Sequence, residues 1–238
     1  MTQFIDVAPS GRGPFAVKLA KIQFEDRVLN IGCFDGGLER HFLKNVSSCV
    51  GIDVNKDALE FAQKNKPNNA EFLYAKSENL PFEDNSFNKI FMLDVLEHVN
   101  DEKKSLKEVF RVLKPGGLFI LSVPNDFLNF LDPDNLTRDV RNFVRKYIRK
   151  KELLSHPDHR HYGEKDLRSL LSDFEIIRVH KSGTPVFLSL AILYNALGIP
   201  QRWLTPFRKI TDPIENAEYA MQLPTGFNIM VVARKPTA

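Results

Sequence analysis

The sequence predicts an α/β fold: a mainly parallel, seven-stranded sheet with helices on both faces. Three observations point to it. Short apolar runs alternate with amphipathic stretches through the first half of the chain. A glycine-bearing turn, Gly32-Cys-Phe-Asp-Gly-Gly37, follows the first apolar run, and an acid, Asp53, closes the second. Such alternation gives parallel strands joined by right-handed crossovers, the Rossmann-like arrangement.

Taken in order, Arg27–Ile31 reads as a buried strand, and a helix near Leu38–Val46 follows the glycine turn. Cys49–Asp53 is a second strand. Asn55 can accept a backbone N–H and so cap a helix running to about Asn65, which Pro67 and the following asparagine pair end. Ala70–Ala75 and Lys89–Leu93 are the third and fourth strands. Leu106, Val109, Phe110 and Leu113 lie at helical spacing within Asp101–Leu113. Lys114–Gly117 is a turn, and Leu118–Val123 a fifth strand.

The second half is less regular. Leu136–Leu154 reads as an amphipathic helix with Val140, Phe143, Val144, Tyr147 and Ile148 on one face, and Glu164–Leu171 as a short helix. Phe174–Lys181 and Phe227–Ala233 complete the strands. The segment between them contains Pro185, Pro200, Pro206, Pro213 and Pro224 and is too long for a hairpin, so residues 182–225 read as an inserted cap. The chain of 238 residues thus reads as one domain, 1–238, with a helical lead-in over 1–25, a ligand-binding core over 26–125 and a helical segment on the substrate side over 126–172.

Composition narrows the class. Hydrophobic residues are 43% and charged residues 26%, which fits a globular core rather than disorder. A formal net charge of +3 is too small to argue for nucleic acid, and no base-reading motif is present, so no nucleic-acid partner is expected. Cys33 and Cys49 form no metal-type pair and no disulfide framework, so no metal is expected and a reducing, cytoplasmic location is. The N-terminus shows no signal-peptide pattern. The longest apolar stretch, Val186–Ile199, falls short of the ~20 residues a membrane-spanning helix needs.

Open parallel sheets bind ligands beyond the carboxyl ends of their strands, where strand order reverses. Both the turn at Gly32 and the acid Asp53 belong there. Glycines let the turn approach a ligand closely, and the helix behind it offers free N–H groups to an anion. Asp53 lies about 20 residues after Gly32, the spacing of an acid that accepts bonds from ribose hydroxyls. The turn does not fit G-x-G-x-x-G, because Phe34 holds the middle glycine position. A nucleotide-dependent oxidoreductase therefore fits less well, and a non-catalytic binding protein on the same fold is the other alternative.

The runs VLNIGCFDGG, GIDVNKDALEFA, SENLPFEDNSFNKIFMLDVLEHV and EVFRVLKPGGLFILSVPN resemble class I S-adenosylmethionine-dependent methyltransferases. The similarity covers about Arg27–Asn125 and is strongest to the small-molecule and lipid-precursor group that includes the ubiquinone-biosynthesis type. It implies S-adenosylmethionine as cofactor. Gly32 and Gly36 would lie against the methionine part, Asp53 with Val54 beside it would take the ribose, Ser77 and Glu78 would border the adenine with Leu80 helping to wall it, and Asp94 would face the methionine end. Three positions depart from the family pattern. Asn30 replaces an acid and supplies no charge, Phe34 replaces a glycine and must point away or narrow the pocket, and Lys76 replaces an acid and only donates.

The acceptor side is less defined. A hydroxyl acceptor needs a general base, and histidine suits that near neutral pH. His98, in Leu96-Glu-His-Val99, follows the fourth strand. His159 and His161 stand before the short helix, where related methyltransferases carry a histidine near the substrate. Glu97 reads as structural. Arg138, Arg141, Arg145, Lys146, Arg149, Lys150 and Lys151 crowd one side of the helix over 138–151, a pattern that suits either a solvated surface or peripheral contact with an anionic membrane. The apolar segment Pro185–Leu204 suits a hydrophobic acceptor, a core helix or a homodimer contact. The expected acceptor is a small or amphiphilic, lipid-like molecule.

Overall fold

The computed structural model describes residues 9–126, 160–183, 208–224 and 226–237. Its sheet consists of β1 (Arg27–Ile31), β2 (Ser48–Asp53), β3 (Ala70–Tyr74), β4 (Phe87–Leu93), β5 (Leu113–Pro124), β6 (Glu175–Ser182) and β7 (Asn228–Arg234). The helices are α1 (Arg12–Ala20), α2 (Gly37–Phe42), α3 (Lys56–Lys64), α4 (Glu102–Val112), α5 (Glu164–Leu170) and α6 (Arg208–Ala220), with a 3₁₀ turn at Leu96–His98. Helix α6 lies within residues 182–225, between β6 and β7 in sequence. His159, the basic helix over 138–151 and the apolar segment 185–204 lie outside the described residues.

The strand order is β3-β2-β1-β4-β5-β7-β6. Strands β3 through β5 pair in parallel, as the βα alternation requires. The last strand enters between β5 and β6 and runs antiparallel to both. Order reverses between β1 and β4, so the crevice beyond their carboxyl ends is the place for a ligand. β5 starts earlier than its apolar run suggests: Leu113 pairs with Phe87, the register then shifts, and Leu118 pairs with Lys89, so the Lys114–Gly117 turn bulges from the strand.

Two cores sandwich the sheet. One face carries Leu29, Ile31, Ile90 and Phe119 against Leu106 and Val109 of α4 and Leu167 of α5. The other carries Val28, Phe91 and Ile120 against Phe15 and Ala16 of α1, Leu38 of α2 and Ala62 of α3. Side chains alternate across β1, so Asn30 points with Val28 toward α2. The helices start where side chains supply the missing acceptor: Asn55 Oδ1 takes the Ala58 N–H at 3.1 Å, and Asp101 Oδ1 takes the Lys104 N–H at 2.9 Å.

The connection from β3 to β4 is held by one side chain of α4. Arg111 donates to the Leu80 and Phe82 carbonyls at 3.0 and 2.7 Å, to Asp84 at 2.9 Å and to both oxygens of Glu108 at 2.8 Å. Glu108 in turn accepts the Leu80 N–H at 2.8 Å. The fork geometry is specific to a guanidinium. Arg111→Ala should lower stability by about 1–3 kcal/mol, and Arg111→Lys should recover little of it, both measured by urea denaturation.

Candidate cofactor site

The turn after β1 is drawn together by backbone bonds. The N–H groups of Gly32 and Cys33 both donate to the Ile52 carbonyl, at 2.8 and 3.0 Å, and Gly36 N–H returns to the Cys33 carbonyl at 2.9 Å. Gly32 has φ 75°, and a Cβ there would strike the Val95 side chain. Gly36 has φ 76° and caps α2; a Cβ there would come within 2.6 Å of the Phe72 ring. Phe34 adopts the left-handed region too, at φ 50°, in the position where the family pattern has glycine.

Asp53 joins this turn to β2. Its Oδ2 accepts the Phe34 N–H and its Oδ1 the Asn55 N–H, both at 2.8 Å. Each carboxylate oxygen has a further lone pair for a hydroxyl donor. The side chain borders a cleft of about 550 Å³ beyond the carboxyl ends of β1, β2 and β4, a size within the roughly 300–1,000 Å³ typical of small-ligand sites. Phe34 is a wall of this cleft rather than its filling: the residue is 48% exposed and the space beside it is retained.

The far wall is the segment after β3. Ser77 and Glu78 line the cleft, and Glu78 also ties down the opposite wall by accepting the Asn100 N–H at 3.0 Å. Burial works against the Glu78 charge, but N–H donors from its own backbone, Asn100 and Asp101, with the Ser77 hydroxyl, outweigh it and hold the carboxyl below its usual range. Lys76 is exposed at the edge of the same wall.

Asp94 forms the floor, again in the left-handed region at φ 52°. It forms an ion pair with Arg12 of α1 and accepts from Ser122 at 3.2 Å and from Asn228 at 3.4 Å. Ser122 and Asn228 are buried and bonded to each other at 3.0 Å. The N-terminal helix, β5 and β7 therefore all fix one cleft carboxylate.

The cleft brings together Gly32, Phe34, Asp53, Val54, Ser77, Glu78, Asp94 and His98 from separate parts of the sequence. Asn30, Gly36 and Leu80 lie behind its walls. Leu80 is buried in the α4-side core, and Asn30 donates to Glu39 at 2.9 Å beneath the turn. His98 is exposed at the end of the 3₁₀ turn, while its neighbour Glu97 is buried. His161 lies in a different hollow of about 490 Å³ with Glu102, Arg160, Tyr162 and Asp166.

That hollow braces the His98 turn. Tyr162 donates to the Leu96 carbonyl at 3.2 Å and to Glu102 at 2.5 Å, and Arg160 donates to the Val99 carbonyl at 3.2 Å. Arg12, Glu39, Arg160 and Tyr162 were not legible as site residues in the sequence. Each acts through a partner far along the chain, except Glu39, whose place in the first turn of α2 resembles any surface helix position.

Residues 29–121 match the family described as methyltransferase domain. The segment that forms β1 to β5 is thus similar to methyltransferase domains. Over 128 residues, 49% of this chain and 51% of the relative, it is 35% identical to the uncharacterized methyltransferase YcgJ of Bacillus subtilis. Over 124 residues, 50% of this chain and 43% of the relative, it is 37% identical to the ubiquinone/menaquinone biosynthesis C-methyltransferase UbiE of Rickettsia prowazekii. The chain thus spans about half the length of the curated relatives it matches. In fold it is similar to the crystal structure of YcgJ, with TM-score 0.62 and 21% identity over 95% of this chain and 98% of that one. A SAM-dependent methyltransferase from Methanosarcina mazei superposes with TM-score 0.60 and 23% identity over 98% and 100% of the two chains.

S-adenosylmethionine is the cofactor of such a domain, and the cleft fits it. There is an acid for paired hydroxyls, a turn that a Cβ at Gly32 would disrupt, and a carboxylate at the floor. Phe34 is the misfit in backbone terms. Left-handed conformation costs a non-glycine residue roughly 1–2 kcal/mol, and the half-exposed residue recovers little by burial. Phe34→Gly should therefore match or exceed the parent protein in stability, by up to about 1 kcal/mol in thermal or urea denaturation, while keeping the cleft intact.

Proposed function

We propose that this protein transfers a methyl group from S-adenosylmethionine to a small or amphiphilic, lipid-like acceptor. The observation that carries the reading is Asp53, a carboxylate that closes β2, borders the cleft and pins the adjoining turn with one oxygen on each flanking N–H. When bound, the cofactor supplies an electrophilic methyl group on a sulfonium.

The chain's own residues bind and orient. Asp53 accepts the ribose hydroxyls, with Val54 beside it. Ser77 and Glu78 wall the adenine, and Leu80 supports that wall from the core. Gly32 lets the turn approach the methionine part, Gly36 shapes the turn, and Asn30 and Phe34 complete its inner and outer sides. Asp94 faces the ammonium end. On the acceptor side, His98 stands on a cleft wall and takes the proton from a hydroxyl acceptor. His161, or His159 from the same sequence cluster, is the alternative base or acceptor contact. Alignment of nucleophile, methyl carbon and sulfur contributes much of the rate in such a displacement.

An amphiphilic acceptor is supported by the relatives named for ubiquinone/menaquinone biosynthesis and by two sequence features outside the described residues. The basic stretch 138–151 suits peripheral contact with an anionic membrane, and the apolar segment 185–204 suits a hydrophobic acceptor or a homodimer contact. No helix among the described residues is long and apolar enough to cross a membrane. A cytoplasmic location with peripheral membrane contact is part of the same reading.

S-adenosylhomocysteine at a hundred times its Kd should stabilise the protein by about 2.7 kcal/mol in a thermal-shift series, whereas NAD and NADP should not. The reverse pattern would establish the oxidoreductase reading instead. Asp53→Ala should weaken S-adenosylhomocysteine roughly ten- to a hundredfold, as expected for the loss of hydrogen bonds to a charged acceptor; unchanged affinity in a folded variant removes Asp53 from the site. His98→Ala should lower turnover on a hydroxyl acceptor by about 10²–10⁴ with cofactor affinity retained. Normal turnover would transfer that role to His161, tested by the matching alanine variant.

A further inference from the structure

Glu39 lies in the first turn of α2, directly behind the glycine turn that borders the cleft. It is fully buried. One carboxyl oxygen accepts from Asn30 at 2.9 Å, and the other meets no hydrogen-bond donor. Fold stability alone gives no reason for an acid here, since a buried charge without full compensation costs several kcal/mol. The nearby cation, Arg40, is turned toward the carbonyl and carboxylate of Asp35 and lies over the Phe61 ring.

The surroundings are otherwise poor in charge. Burial pushes the Glu39 carboxyl up to about 7, against the opposing pull of the Asn30 bond, its backbone contacts and Arg40, while Asp35 adds to the rise. Cys33 in the turn and Cys49 on β2 have thiols pushed up by burial and then by the Glu39 charge, Cys49 to about 12. Cys33 is also raised by Asp53, so the field of Glu39 and that of the ribose acid meet at the turn. From the other packed elements, α1 presents Phe15 and Ala16, α3 Leu59 and Ala62, and β3 Phe72.

The family's acid at position 30 is absent from this chain, and Glu39 places a carboxyl on the very residue that replaced it. We propose that Glu39 is a positioning and selectivity residue of the cofactor site: ionised, and linked to the end of β1 through Asn30, it favours the cationic sulfonium over the neutral thioether left after transfer. The proposal rests on the methyltransferase reading above. Binding of the sulfonium stabilises the carboxylate, so Glu39 gives its proton to the buffer; binding of the thioether releases less. By linkage the preference for the sulfonium rises with pH as Glu39 ionises, and each pKa unit of coupling is tenfold in affinity.

The test is isothermal titration of the full chain with S-adenosylmethionine and S-adenosylhomocysteine at pH 6 and pH 8, in buffers of different ionisation enthalpy. The parent protein should release more proton on binding the sulfonium, and its preference for the sulfonium should rise about tenfold with pH. Glu39→Gln should lose both effects. Asn30→Asp combined with Glu39→Gln, which returns the acid to the pair with its hydrogen bond reversed, should restore preference for the sulfonium. Equal proton release with the two ligands, an equal change in both affinities in Glu39→Gln, or no restoration in the exchanged pair would overturn the proposal. A parent protein that binds neither ligand would instead overturn the methyltransferase reading on which it rests.

Discussion

The carboxylate of Asp53 is the constraint on which the site depends. Its two oxygens hold the backbone of Phe34 on one side and Asn55 on the other. The first bond fixes the turn after β1, and the second sets the start of α3, where Asn55 then caps the helix with its own side chain. One acid thus positions the loops that follow β1 and β2. Without it, the left-handed geometry of Phe34 loses the bond from its N–H to the Asp53 carboxylate.

Opposite Asp53, the cleft is built by long-range polar contacts rather than by local turns. Asp94 is shared among Arg12, Ser122 and Asn228. The 3₁₀ turn that carries His98 is fixed by Glu78 from one side and by Tyr162 and Arg160 from the other. These contacts tie the first hundred residues to the second half of the chain. The second half therefore shapes the site even though the family match ends at residue 121.

Local chemistry made much of this legible in sequence. Strands β1 to β4 announce themselves as apolar runs, Asn55 as a cap, and Gly32 and Asp53, paired by spacing, line one cleft. What was not legible depended on pairing. The antiparallel insertion of β7 between β5 and β6 is invisible to a pattern that records elements but not neighbours. Composition holds a trace of it: Ile229–Ala233 is buried throughout, as a central strand requires, whereas β6 carries Arg178 and Lys181 and leaves much of its length accessible. Glu39 was silent for a similar reason, because an acid in the first turn of a helix is ordinary there and only its burial against Asn30 makes it exceptional. His161, whose sequence position suggests the acceptor side, lines the hollow with Tyr162 and Asp166 rather than the cleft with Asp53.

The most direct measurement is a crystal structure of the protein grown with S-adenosylhomocysteine. Both ribose hydroxyls should lie within hydrogen-bonding distance of the Asp53 carboxylate, the adenine against Ser77 and Glu78, and the Phe34 ring at the rim. Density for the ligand elsewhere, or the Phe34 ring lying where the ribose should be with Asp53 turned away, would contradict it.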